Sequence, residues 1–281
     1  MSDAPTFGDR VRDALSAFGP LCVGVDPHEH LLTAWGLDAS AAGAREFGLR
    51  VVDAAAGLVG IVKPQVSFFE RYGSAGFAAL EDVLAAARTA GLITIADAKR
   101  GDIGSTMDAY GQAWLTPGSP LEADAMTANP FLGTGTLEGA FQLAESAGKG
   151  VFVLVATSNA DAFTAQRAVL ASGRTVSAAI VDEVCAHNAR VTAQGSWASV
   201  GFVIGSTVDW AEAGLDSIDP PAPILGPGFG HQGAGPGDLR TRYGDCAPLV
   251  IASESRSLLA VGPGALAGAI QTRVQDYREH S

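Results

Sequence analysis

The chain has 281 residues, 47% of them hydrophobic, enough for a sizeable core in one large domain or two small ones. Against 18 basic residues stand 30 acidic ones, and the formal charge of −12 argues against a polyanion such as nucleic acid as partner. No run of about 18 apolar residues suggests a membrane span, and the opening MSDAPTFGDRVRDAL has no apolar stretch of signal-peptide length. Cys22, Cys185 and Cys246 are odd in number, far apart and without metal-ligand spacing, so they read as buried thiols of a reducing compartment, the cytoplasm.

After an amphipathic helix over Phe7–Phe18, compact apolar runs alternate with longer Ala-rich stretches of helical spacing. The apolar runs predict eight strands, at Leu21–Asp26, Gly60–Gln65, Ile93–Lys99, Ala123–Asn129, Gly150–Thr157, Ser199–Gly205, Ala222–Pro227 and Pro248–Ser253. Helices are expected over Ser40–Leu58, Ala75–Ala90, Ile103–Trp114, Thr136–Ala147, Thr175–Ala193, Val208–Gly214 and Ala265–Arg278, with room for only a short one at Pro236–Tyr243. Apolar strands separated by helices argue for parallel pairing, and eight is the number that closes into a (β/α)8 TIM barrel filling residues 1–281 as a single domain. A doubly wound open sheet is the alternative, but no G-x-G-x-x-G follows the first strand.

The richest stretch is Ile93–Thr106, ITIADAKRGDIGST. An apolar strand runs out into Asp97 and Lys99, which as residues two apart on a strand face the same way, roughly 7 Å apart at Cα. Asp102 then reads as the cap that opens the next helix. A structural ion pair and a helix cap would look the same, although perturbed charges cluster at functional sites. A lysine held between two carboxylates keeps its proton and suits the part of acid or fixed positive charge.

In a barrel the functional face lies at the C-terminal strand ends. There the sequence places Asp26, Lys63, Asp97 with Lys99, Thr157-Ser158-Asn159, and Ser253-Glu254-Ser255-Arg256. The loop after strand seven, GPGFGHQGAGPG, has six glycines between Gly226 and Gly237, among them Gly228 and Gly230, and such a backbone can approach an anion with its N–H groups forward. Arg256 would add the forked positive charge that a phosphate favours. His28-Glu29-His30 has the H-x-H look of a barrel metallohydrolase, but the further histidines and the aspartate of that pattern are missing, so no metal site is expected. His187 reads as a core or interface residue, and His231 neighbours the glycine loop.

With these segments in place, the chain resembles the orotidine 5′-phosphate decarboxylases, in the longer subgroup found in bacteria such as actinomycetes. The resemblance rests on LCVGVDPH, VKPQVSFFERYGSAG, ADAKRGDIGST, NPFLG, VLVATSN, GPGFGHQGA and SESR, in that order. It implies a cofactor-free lyase acting on a nucleotide as a homodimer. Magnesium-dependent sugar-phosphate lyases share the D-x-K-x-x-D core and would use Asp26, Asp97 and Asp102 as ligands, but generally carry an acidic residue where Lys63 stands. A phosphate-ligand binding module without turnover is the other rival.

Carried over, the resemblance makes Lys99 the proton donor to pyrimidine C6 and places Asp97 beside the departing carboxylate. Asp102 and Thr106 would come from the neighbouring subunit and complete an alternating array, Lys63, Asp97, Lys99, Asp102. Lys63 and Asp26 would hold ribose hydroxyls, Ser158 the pyrimidine edge, and Gln232 would bridge toward base and phosphate. Arg256 and nearby backbone amides would bind the phosphate. Two positions depart from the pattern: His231 stands where a small residue is more usual, and Glu254 sits beside Arg256, where its carboxylate could compete for the guanidinium.

Overall fold

The computed structural model describes residues 5–280. Its chain order is α1 (Phe7–Phe18), β1 (Leu21–Val25), α2 (Glu29–Ala34), α3 (Ala41–Ala55), β2 (Ile61–Pro64), α4 (Ser67–Glu70), α5 (Gly73–Thr89), β3 (Ile93–Arg100), α6 (Gly104–Leu115) and β4 (Ala125–Ala128). It continues with α7 (Glu138–Ser146), β5 (Gly150–Ala156), α8 (Phe163–Gln166), α9 (Val176–Val191), β6 (Val200–Ile204), α10 (Trp210–Ala213), β7 (Ile224–Pro227), α11 (Leu239–Tyr243), β8 (Val250–Glu254), α12 (Arg256–Leu259) and α13 (Leu266–His280). All neighbouring strands pair in parallel, and β8 returns to β1 to close the barrel. The open-sheet alternative is thereby excluded.

Strand alternation sorts the core into two shells. Cys22, Ile61, Ile95, Ala125, Phe152, Val203, Leu225 and Ile251 pack together inside the barrel, while their neighbours Val23, Val62, Ala96, Met126, Val151 and Phe202 face the helices. The helices are held at their starts by the side chains the sequence offers: Ser40 accepts from the Gly43 amide, Thr175 from Ala178 and Asp209 from Glu212.

The first helix closes the barrel floor. Its cap Thr6 accepts from the Asp9 amide at 3.0 Å and donates to the Trp197 carbonyl, whose own residue returns an N–H to Asp9. Phe7 is completely buried in the interior cluster and meets the Phe152 ring edge-on, with centroids 5.9 Å apart. This approach requires glycine at the start of β5, because a Cβ on Gly150 would lie 2.2 Å from the Phe7 ring.

Most boundaries differ from the sequence reading by one or two residues. Asp26, Asn129, Thr157 and Gly205 all stand just beyond their strands, whereas β3 and β8 each run one residue further than expected. The short helices α2, α4, α8 and α12 have no counterpart in the sequence reading. Among the described residues no helix is long and apolar enough to cross a membrane.

Truncating the floor plug should cost what a large buried aromatic costs. Phe7→Ala is expected to lower unfolding stability by about 3–5 kcal/mol in urea titrations, and a loss below about 1 kcal/mol would mean that α1 is not part of the cooperative core.

Candidate active site

The inward side chains form a second layer directly above the apolar one. Two residues beyond Ile61, Ile95, Ala125 and Ile251 on the same faces come Lys63, Asp97, Thr127 and Ser253. The apolar layer beneath shields these groups from water on one side, so each must find its partner within the layer.

Asp97 is the centre. Its Oδ2 accepts from Lys63 Nζ at 3.0 Å, and its Oδ1 accepts from Lys99 Nζ at 2.6 Å and from Thr127 Oγ1 at 3.0 Å. Asp97 and Lys63 are 8% and 6% exposed, whereas the Lys99 side chain is 47% exposed, so the buried pair is the base and Lys99 reaches into the opening. Burial opposes charge on both members of the pair. For Asp97 the ammonium groups of Lys63 and Lys99 outweigh it and hold the carboxyl well below the usual carboxylate range. For Lys63 the carboxylates of Asp97 and Asp26 outweigh it and raise the ammonium pKa above that of a free lysine.

Strand alternation alone does not bring Lys99 to Asp97. Lys99 is the only described non-glycine residue with positive φ, at +48°, and the β3–β4 register shifts between Ala96 and Arg100. A left-handed residue of this kind costs about 1–2 kcal/mol, and such strain concentrates at functional positions. The bend is secured by Thr127, whose Oγ1 accepts the Lys99 amide at 2.9 Å, and by the Asn129 amide donating to the Arg100 carbonyl at 2.7 Å.

Above this layer opens a cavity of about 380 Å³ lined by Asp26, Lys63, Asp97, Lys99, Ser158, Gly228, Gln232 and Arg256. Eight of the eleven residues singled out from the sequence therefore share one mouth. The other three do not. Gly230 turns behind the cavity wall, with φ +74°. Asp102 and Thr106 lie off the cavity of their own chain, and Lys99 bonds to one carboxylate within that chain, not to two. The helix-cap reading of Asp102 is also corrected: α6 opens at Gly104 with Ile103 at the cap position, and the Asp102 carboxylate accepts only the Ile103 amide, at 2.8 Å.

Glu254 does not compete for Arg256. Alternation turns it away from the inward-facing Ser253, and its carboxylate is taken by Arg273 at 2.6 and 2.5 Å. His28 packs at a tilt against Phe68, with ring centroids 4.2 Å apart. Among the described residues no three His, Cys, Asp or Glu side chains converge as metal ligands would. His187, nearly buried at the outer helices, bonds to Glu145 at 2.6 Å, in keeping with a core role.

Sequence reasoning missed Thr127, Gln65 and Ser206. Gln65 lines the cavity beside Lys63, and the hydroxyls of Ser206 and Ser255 are buried without a hydrogen-bond partner, as is Asp26 Oδ1. Unsatisfied polar atoms beside a cavity mark places where a ligand can complete the bonding. Ser206 stands two residues beyond β6, and that position near a strand end is the one signal that could have marked it. A larger hollow of about 620 Å³ opens at the opposite end, beside Arg12, Trp197 and Pro248, away from the Asp97 network.

A closed parallel barrel that holds an ammonium against a buried carboxylate at its C-terminal face falls among the (β/α)8 enzymes that stabilise negative charge on a bound substrate. Residues 19–261 match the orotidine 5′-phosphate decarboxylase / HUMPS family, and the chain belongs to that family. It is 49% identical over 264 residues to the orotidine 5′-phosphate decarboxylase of Corynebacterium efficiens, covering 92% of this chain and 91% of that one. With the enzyme of the same name from Salinispora tropica it shares 46% identity over 275 residues, 97% of each chain. A Streptomyces avermitilis crystal structure, assigned provisionally to the same activity, superposes with a TM-score of 0.93 at 42% identity and covers 99% of this chain and 97% of that one. Leishmania donovani OMP decarboxylase superposes at 0.76 with 27% identity, covering 98% of this chain and all of that one.

The buried pair makes a signed prediction for stability. The depressed Asp97 pKa contributes stability that is complete above the unfolded carboxyl pKa of about 4 and is lost as pH falls through the lower folded value. Asp97→Asn strands the Lys63 charge and is expected to cost about 3–5 kcal/mol at pH 7, the gap to the parent beginning to narrow below about pH 4. A gap that stays constant in denaturant titrations down to pH 2.5 would refute the ion-pair origin.

Proposed function

We propose that the mouth converts orotidine 5′-phosphate to UMP and carbon dioxide without metal or organic cofactor, with Lys99 as the residue that meets the reacting carbon. The observation that carries this reading is the Lys99 ammonium held at 2.6 Å from Asp97 at the opening of an otherwise buried charge layer.

The chemistry follows from charge. Breaking the bond between C6 and the carboxylate leaves an electron pair in an sp² orbital orthogonal to the ring π system, so the ring cannot delocalise it. A fixed positive charge must therefore stand beside C6. The Lys99 ammonium stabilises the developing carbanion and then gives it a proton, and UMP results. Asp97 lies next to the departing carboxylate and keeps Lys99 charged and aimed. The barrier reduction required is near the upper part of the enzymatic range, about 20 kcal/mol.

One lysine cannot supply all of that, so binding energy from the ribose and phosphate must be expressed in the transition state. Asp26 and Lys63 would bind ribose hydroxyls, Asp26 through the oxygen that is buried without a partner. Ser158 would read the pyrimidine edge and Gln232 would bridge base and phosphate. Arg256, with backbone amides around Gly228, would bind the phosphate.

The same reading includes a two-fold dimer in which Asp102 and Thr106 reach the partner's site, completing the alternation beyond Lys99. Support comes from their position off their own cavity and from the apolar surface beside them. Ile103 is 61% exposed, and Phe131 and Leu132 on the adjoining loop are 86% and 50% exposed. Water-exposed side chains of this size next to an unsatisfied site suit a self-complementary contact. Three free thiols fit a reducing cytoplasm.

Lys99→Ala is expected to lower carbon dioxide release from orotidine 5′-phosphate by at least about a thousandfold while the protein stays folded, with the parent activity unchanged by chelator. Chelator-sensitive turnover would favour the magnesium lyase, and an undiminished Lys99→Ala would remove this mechanism. Phosphate-free orotidine should have a kcat/KM at least about a thousandfold below that of the phosphorylated substrate, and comparable values would contradict the assignment of binding energy. Mixing Lys99→Ala with Asp102→Ala under conditions of subunit exchange should restore activity, because one composite site in the mixed dimer then carries both native residues. Absence of recovery in a mixture shown to exchange would exclude the shared site.

A further inference from the structure

Among the described residues, the most heavily bonded carboxylate lies outside the cavity. Glu254, at the end of β8, is 1% exposed and accepts four hydrogen bonds: two from Arg273 Nη1 at 2.6 and 2.5 Å, one from Tyr277 Oη at 2.9 Å and one from Ser257 Oγ at 2.9 Å. Its donors come from two directions. Ser257 is on α12, one residue after Arg256, whereas Arg273 and Tyr277 lie one turn apart on α13.

The glycine loop rests on the same carboxylate. A Cβ on Gly230 would stand 2.3 Å from Ser257 Oγ and 2.7 Å from Glu254 Oε2, so only glycine lets the loop backbone lie against this pair. One residue earlier, Phe229 is buried at 2% exposure, lines the cavity and packs edge-on against Tyr277, with centroids 6.1 Å apart. Thus the loop and the segment carrying Arg256 are pinned to one point, and that point is fixed by α13.

We propose that Glu254 and Arg273 are positioning residues for the phosphate end of the substrate: their ion pair sets the spacing between the Gly228–Gly230 backbone and the Arg256 guanidinium. This rests on the phosphate assignment given under the proposed function. Neither residue reaches the cavity, so their effect passes through the loop and Arg256. A bidentate guanidinium and forward-pointing amides bind a tetrahedral dianion well only at a fixed separation, and small misplacements remote from the reacting atoms cost large factors in rate. The pyrimidine end of the mouth is held separately, by the Asp97 network.

The test compares orotidine 5′-phosphate with phosphate-free orotidine in Glu254→Gln, Arg273→Lys, Ser257→Ala and the direct control Arg256→Ala. Arg256→Ala should lower kcat/KM for the phosphorylated substrate and leave that for orotidine within about twofold. Glu254→Gln and Arg273→Lys should do the same by about 10- to 100-fold, mainly through KM. Ser257→Ala, which removes a single hydrogen bond, keeps the question open to measurement if the other two fail to fold, and should show the same substrate-selective loss at smaller size. If the Glu254, Arg273 and Ser257 variants depress both substrates alike, or leave the phosphorylated one unchanged, while Arg256→Ala is selective, the positioning role is overturned and the phosphate assignment stands. If Arg256→Ala itself is unselective, the phosphate assignment fails and this proposal with it.

Discussion

One carboxylate shared by two ammonium groups organises the molecule. Asp97 carries Lys63 on one oxygen and Lys99 on the other, and neither lysine could hold its place without it. Because Lys63 is buried, its charge has little access to bulk water and depends for compensation on Asp97 first and on Asp26 beside it. Because Lys99 extends into the opening, its charge is free to act on whatever enters. The same oxygen that binds Lys99 is braced by Thr127, which also holds the strained Lys99 backbone. Geometry, charge state and backbone conformation at the site are thus parts of a single arrangement.

The barrel makes that arrangement affordable to build only because of its layering. Every strand is buried on both faces, so the code for the inside is a simple alternation in which one layer is apolar and the next is polar. The apolar layer, closed from below by Phe7, provides the low-dielectric floor that strengthens electrostatic interactions above it.

Much of this was legible in the amino-acid order. Apolar runs marked all eight strands, and residues at their ends supplied most of the mouth, because in a parallel barrel a strand end is a place in space as well as in sequence. What escaped did so for identifiable reasons. Thr127 is β-branched and looks like ordinary strand filler, so its double role was invisible. Asp102 resembled a helix cap, but the bend at Lys99 and the following Gly101 delay α6 until Gly104. Glu254 seemed a rival for Arg256 because the two are neighbours in the chain, although the alternation that turns Ser253 inward turns Glu254 outward. Arg273 and Tyr277, on the last helix, carry no local signature of their contact with β8.

The seal that Phe7 and α1 place across the lower end has a wider meaning. A cylinder stoppered at its base is a blind well, so any ligand and the water it displaces must use the same rim. Entry and drying then become one process, and whatever covers the rim once a ligand is inside also governs how long the charges beneath stay isolated from solvent.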